Sequence, residues 1–363
     1  MIPVSQPSIS QTELNYVTDA VKSGWVSSLG AYIDKFEERF ADFCGTKYAL
    51  TVSNGTVGLH LALVAYGVGV GDEVIVPDLT FVATANAVRM AQAKPIMVDV
   101  IRETYCIDPQ QVVHAITPNT KAIIPVHLYG HPANMPALRE IASAHKLHLI
   151  EDAAEAHGAS IDNTMVGGLG DCAVFSFYGN KIITSGEGGM ITTNDEALFL
   201  RLKYLRDHAM SKDVRYWHTE VGYNYRMTNM QAALGLAQLE QIDQFLVRRS
   251  LLLEQYRKLL EPHGVECNPV SDARAVNWMT CAVVDGLERA QRDHVIALMR
   301  ARGVDARPFF YPISCLPMYG GSQNPVSSAL SESGFNLPTY VEMTSAQVTE
   351  VCSVFLQTLE AVW

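Results

Sequence analysis

A chain of 363 residues, 48% hydrophobic and 18% charged, has room for one large folded unit and a smaller one, and its ordinary usage excludes disordered and fibrous classes. Its net charge of -11, from 27 Lys and Arg against 38 Asp and Glu, repels a nucleic-acid backbone or an anionic membrane, so any phosphate partner must be met by a local site. Seven cysteines without a C-x-x-C pair argue against a disulfide framework or zinc site and fit a reducing cytoplasm, and the start MIPVSQPSIS lacks the basic stretch and apolar core of a secretory leader.

Along the chain, Phe36, Phe40 and Phe43 fall at i, i+4 and i+7, which predicts an amphipathic helix facing a core. From about 48 to 200, short β-rich apolar runs alternate with helical patterns, the mark of parallel strands joined by crossover helices. Strands are expected at 48–52, 74–76, 96–100, 122–127, 147–151 and 173–177, buried on both faces. Helices are expected at 57–68, 83–91, 109–116 and 135–145. A long helical stretch runs from 228 to about 260. Beyond it come a strand near 278–284, a helix near 290–302 and a last helix, before which Thr344 and Gln347 have capping-box spacing. The expected architecture is α/β: a mainly parallel sheet flanked by helices over 1–245, then a smaller C-terminal α+β domain over 246–363.

Three segments carry chemistry. LHLIEDAAEAHG (147–158) brings Asp152 to the carboxyl end of a strand, where open α/β sheets bind ligands. There it either caps the next helix or, as a buried acid, pairs with a cationic ring nitrogen. AVFSFYGNKIITSGEGGM (173–190) delivers Ser176 and then Lys181 from a buried strand into a Gly-rich turn, the setting for a desolvated, nucleophilic amine. SNGT (53–56) ends a strand and opens a helix, so the N–H groups of Gly55 and Thr56 and the Thr56 hydroxyl can face an anion. An imine-forming lysine, a partner for a pyridine nitrogen and a phosphate cup are the needs of pyridoxal phosphate (PLP), and Phe81 in PDLTFVAT (77–84) is a candidate ring to stack on its face.

These segments, in this order and over nearly the whole chain, resemble the sugar aminotransferases of the DegT/DnrJ/EryC1/StrS family, within fold type I PLP enzymes. The resemblance implies Lys181 as the Schiff-base lysine and Asp152 as the pyridine-nitrogen partner. It also implies Phe81 as the stacking ring and Gly55, Thr56 and Ser176 as phosphate ligands. Glu155 matches a position, often Gln in the family, near the cofactor's phenolic oxygen; beside an anionic oxygen it is expected to be protonated, turned aside or bridged by water. RYWHTEVGYNYRMTNMQAALGLAQL (215–239) is similar to the family segment whose Asn, here Asn224, reaches the phosphate of a neighbouring subunit, which implies a homodimer with shared active sites. EDAAEAHGA, VHLYGHP, SFYGNKIIT and RPFFYP resemble most the branch that takes glutamate as amino donor and GDP-4-keto-6-deoxymannose as acceptor, for O-antigen assembly. Trp25, Arg307 and Tyr311 are candidate contacts to that sugar nucleotide, because stacking and bidentate pairing suit a nucleoside diphosphate.

Two other classes fit the sequence less well. A nicotinamide-dependent dehydrogenase would need the glycines of GVGVGDE (67–73) between a strand and a helix; they follow a helix and precede a strand, so they are a turn. A sensor built on this fold would be expected to lose the imine lysine, and Lys181 is present. Thymidine- or uridine-linked keto sugars remain alternative acceptors.

Overall fold

The computed structural model describes residues 1–321 and 324–362, and its main element is a seven-stranded sheet. β1 (Tyr48–Val52), β2 (Glu73–Pro77), β3 (Lys94–Val98), β4 (Thr120–Ile123), β5 (His148–Asp152), β8 (Cys172–Ser176) and β9 (Gly189–Thr193) stand in the order β1-β9-β8-β5-β4-β2-β3. A short hairpin, β6 (Ser160–Ile161) with β7 (Thr164–Met165), lies between β5 and β8 in sequence. The pairings from β8 through β5, β4 and β2 to β3 are parallel, while β9 runs antiparallel to both its neighbours.

The strand runs are apolar throughout because each face of the sheet feeds a different core. Ile75, Ile123, Leu149 and Phe175 enter one cluster; Val74, Val76, Ala122, Ile150 and Val174 enter the other. That is the two-residue alternation of a strand with no face left for water. Phe36 and Phe40 join the first cluster as expected, with the Phe40 ring edge-on to Phe175 and Phe177.

Crossover helices occupy Gly55–Ala65, Ala83–Met90, Pro109–Ala115 and Met135–His145, near their expected places. The expected single stretch 228–260 is two helices, Asn229–Leu239 and Ile242–Leu260, with the chain turning at Gln241 (φ -108°, ψ 0°). Helix-forming Glu240 and Gln241 give no sign of that break.

A second sheet, β10 (Glu266–Cys267), β11 (Thr280–Val283), β12 (Arg307–Pro308) and β13 (Gly334–Leu337), is antiparallel in the order β10-β11-β13-β12. Helices Arg289–Ala301 and Ser345–Val362 accompany it; Thr344 and Gln347 cap the latter reciprocally. Residue 245 falls inside the helix Ile242–Leu260, and the extreme N-terminus crosses over: Ile2 pairs with Val304, and the Thr339 N–H donates to the Val4 carbonyl.

Two acids fasten the segment after β12 to the carboxyl edge of the large sheet. Asp78 accepts from Ser314 N and Oγ (both 2.7 Å) and from Asn324 (2.8 Å), while Asp99 accepts from Val326 N (3.0 Å) and from Ser327 N and Oγ (2.8 and 2.7 Å). All six bonds are charge-assisted, so the smaller unit is held over the strand ends where a cleft opens.

Candidate active site

The cleft, of about 520 Å³, lies at the carboxyl ends of β1, β5 and β8. Gly55, Thr56, Phe81, Asp152, Glu155, Ser176 and Lys181 all line it. Trp25, Asn224, Arg307 and Tyr311 do not. Trp25 is 57% exposed; Asn224 bridges to Asp207; Arg307 pairs with Asp305 at 3.0 Å; Tyr311 lies beside the guanidinium groups of Arg289 and Arg292.

Lys181 is placed by a tight loop. Its N–H donates to the Tyr178 carbonyl (2.9 Å), the Ser185 N–H returns to the Phe177 carbonyl (2.9 Å), and Gly186 takes the left-handed φ of 81° that closes the turn. The Lys181 side chain is only 11% exposed, with Nζ 3.6 Å from Glu155 Oε1. Burial lowers its pKa below the ordinary lysine value, and the carboxyls of Glu155 and Asp152 oppose that shift. An amine so poised is a better nucleophile near neutrality than a surface lysine.

The acids of EDAAE divide by strand parity. Glu151 points away from the cleft and accepts from the N–H groups of Gly167, Leu169 and Gly170 and from His127 Nε2 (3.0 Å), with both side chains fully buried. Because His127 Nδ1 accepts the Ala133 N–H (3.0 Å), the ring's proton sits on Nε2. Asp152 turns into the cleft. Its Oδ2 accepts the Thr84 hydroxyl (2.7 Å) and its Oδ1 the Ala154 N–H (3.2 Å), so it makes the local capping contact and still faces the site. Burial raises its pKa, against those two hydrogen bonds.

Glu155 is buried, its Oε2 accepting the Tyr129 N–H (2.8 Å), and burial pushes its carboxyl up to about 7. A folded-state value above the ordinary 4.5 means the folded chain favours the neutral acid. The associated stability is fully present below about pH 4.5 and is lost as pH rises through about 7. Glu155→Gln should therefore gain on the wild type by about 2 kcal/mol between pH 5 and pH 8, read from urea midpoints of the cofactor-free chain. Parallel pH profiles for the two proteins would remove the assignment.

At the other end of the cleft Asn54 caps the helix Gly55–Ala65 by accepting the Val57 N–H (3.0 Å), leaving the first turn's remaining donors free. Any Cβ on Gly55 would stand 3.1 Å from Ser176 Cβ, so a side chain there would press into the space between this helix start and β8. Phe81, 54% exposed, stands over the cleft tilted against Phe310 at 5.6 Å. A poorly hydrated amine, a buried acid with acceptor capacity to spare, a helix start with hydroxyls and an open ring together fit PLP.

Sequence reading missed Trp278, Phe310, Thr84 and Asn180. Trp278 and Phe310 come from the smaller unit, and no local spacing links them to the cleft. Thr84 stands three residues after Phe81 and was legible only as part of a helix start. A second cavity, about 280 Å³ between Tyr129, His131, Leu246 and Asn277, brings no amine and acid together.

This sheet, with its smaller α+β partner and a lysine facing an acid across the strand ends, defines a fold type I PLP-dependent transferase. The chain belongs to the DegT/DnrJ/EryC1/StrS aminotransferase family, whose model matches residues 7–356. It is similar to the GDP-perosamine synthase of Caulobacter vibrioides, 45% identical over 99% of this chain and 98% of that one. It is also similar to the GDP-perosamine synthase of Escherichia coli O157:H7, 42% identical over 97% and 96%. Among solved structures, Spr1654 from Streptococcus pneumoniae in its PMP form superposes with a TM-score of 0.95 at 26% identity, covering 99% of this chain and 98% of that one.

Proposed function

We propose that this chain moves the amino group of glutamate to the C4 ketone of GDP-4-keto-6-deoxymannose, giving GDP-perosamine for O-antigen and lipopolysaccharide synthesis. The chemistry is carried by Lys181, Glu155 and Asp152 converging on one cleft. The choice of sugar is supported by full-length likeness to two enzymes of that one name.

When bound, PLP supplies an electron sink for the charge that develops at the substrate carbon. The residues supply the rest. Lys181 Nζ would hold the cofactor covalently and, when free, would take up and return the proton of the substrate carbon. Asp152 would pair with the ring nitrogen and hold a proton on it. The Gly55 and Thr56 N–H groups and the Thr56 and Ser176 hydroxyls would hold the phosphate, and Phe81 would stack on the ring. We further read the chain as a cytoplasmic homodimer, with residues 1–245 as the cofactor-binding unit and 246–363 as the smaller one. Asn224 is exposed and outside its own chain's cleft, as a residue that serves a second copy would be. Trp25, Tyr216 and Trp217 supply exposed apolar surface for such a contact, and Arg307 and Tyr311 remain our candidates for the nucleotide. No helix among the described residues is long and apolar enough to cross a membrane.

Turnover of glutamate with a panel of GDP-, dTDP- and UDP-linked keto sugars, followed by release of 2-oxoglutarate, tests this. The GDP-linked sugar should lead by at least about a hundredfold in kcat/KM. Turnover confined to thymidine-linked sugars would overturn the sugar, and turnover with none would overturn the class.

A further inference from the structure

We propose that the face of Trp278, together with Glu155, is the resting place of the Lys181 amine whenever that amine is free, making Trp278 a positioning residue for the catalytic lysine. The inference rests on Lys181 being the reacting amine. Its geometry is independent of which sugar is used.

Lys181 Nζ lies 3.9 Å from the centroid of the Trp278 ring and 3.6 Å from Glu155 Oε1. A cation over an indole face is attracted by the ring's negative quadrupole, more strongly where water is excluded, and Trp278 is only 4% exposed. The residue is held at three points, two of them on its ring. Its Nε1 donates to the Asn180 carbonyl (2.8 Å), the residue just before Lys181. Its own carbonyl accepts from the buried Arg249 (2.9 Å), and the Tyr129 ring lies nearly parallel, 6.1 Å away at 19°. So Trp278, in the bend just before β11, is tied to the loop that carries the lysine.

An amine that shuttles protons must be free for part of each cycle, and a free amine in a dry cleft faces two hazards. Desolvation strips its proton, and an unanchored four-carbon stem wanders. The titratable groups facing it are Glu155, Asp152 and His157. The two acids favour its charge, while burial holds His157 down at about 3, so that it stays neutral. Trp278 adds a second attraction that consumes no proton and leaves Glu155 free to change its charge. Core packing alone would require an apolar ring here. It would not require the ring face to lie under the ammonium, or the indole N–H to grip the neighbouring carbonyl.

The test uses the full-length chain freed of cofactor. The pH dependence of Lys181 modification by trinitrobenzenesulfonate, located by peptide mass, gives the titration midpoint of the amine. Trp278→Leu should lower that midpoint by about one unit, a tenfold rise in the proton dissociation constant, equal to about 1.4 kcal/mol. Trp278→Phe, which keeps a ring but not the N–H, should recover more than half of the shift. In the unsubstituted chain, tryptophan fluorescence should show a step at the same midpoint, absent in Lys181→Met. An unchanged midpoint in Trp278→Leu overturns the proposal, as does a Phe variant that shifts as far as Leu, which would leave only the bond to Asn180. If the Leu variant does not fold, the fluorescence decides: a step that is missing, or that persists in Lys181→Met, is equally fatal.

Discussion

Lys181→Ala should lower kcat by at least about a thousandfold, because under the proposed function one side chain would both bond the cofactor and move the proton. Borohydride reduction of the loaded wild type should leave cofactor mass on the peptide containing residue 181, and reduction of the variant should leave none. Lys181 is the one lysine among the residues that line the cleft, so no neighbour can take over. Folding should survive the change. The partner left behind, Glu155, already leans toward its neutral form through burial and keeps its bond from Tyr129 N, so no bare charge is stranded. An inactive but unfolded variant can be told apart by its urea midpoint. Covalent capture of cofactor by Lys181→Ala, or turnover within tenfold of wild type, would move the nucleophile elsewhere.

How much of this was legible in the sequence follows from where the information sits. β1, β2, β5 and β8 were readable because both their faces are buried, so apolar runs mark them without a competing pattern. β9 was not, since Gly188, Gly189 and Met190 read as the tail of a turn; what makes Gly189–Thr193 a strand is pairing on both sides with distant β1 and β8. Asp152 was visible because it ends such a strand, and Lys181 because it follows one within five residues. The distinction between Glu151 and Asp152 was implicit in strand parity, but the partners that occupy Glu151 come from His127 and from 167–170, beyond local reading. Asp78 and Asp99 gave no sign for the same reason: they bind Ser314, Asn324, Val326 and Ser327, more than two hundred residues away. Trp278 carried no signal at all, as a tryptophan before a strand is ordinary core. Asn224 entered through family resemblance and Trp25 through the stacking that suits a nucleotide, and a single chain does not bring them to the cleft.

Asp152→Asn is expected to be nearly as severe, and the reason lies in what that carboxylate is left to do. Oδ2 takes the Thr84 hydroxyl and Oδ1 the Ala154 N–H, one bond each, so a carboxylate with about four acceptor sites keeps capacity for a donor in the cleft. Burial meanwhile raises its pKa, because a carboxylate charge there is poorly hydrated and gains from a positive partner. A protonated ring nitrogen satisfies both needs, and the opposite charge then pulls the Asp152 pKa back down. Asparagine keeps the size and can keep the Thr84 bond, yet it offers no charge, so the ring nitrogen loses the stabilisation of its proton. An opposite charge within about 4 to 6 Å is worth about one to three pKa units, which sets the fall in kcat at up to about a thousandfold. Cofactor affinity should fall as well. In the wild type it should tighten as pH rises through the Asp152 titration, because the raised pKa must be overcome before the pair can form, and in Asp152→Asn that dependence should vanish. Cofactor binding titrated from pH 4 to 8 in both proteins, beside kcat, separates this from loss of packing: Thr84→Val should cost less than about tenfold, since it leaves the charge in place. An Asp152→Asn enzyme within tenfold of wild type, with the pH dependence intact, would mean that the ring's proton is held by some other group.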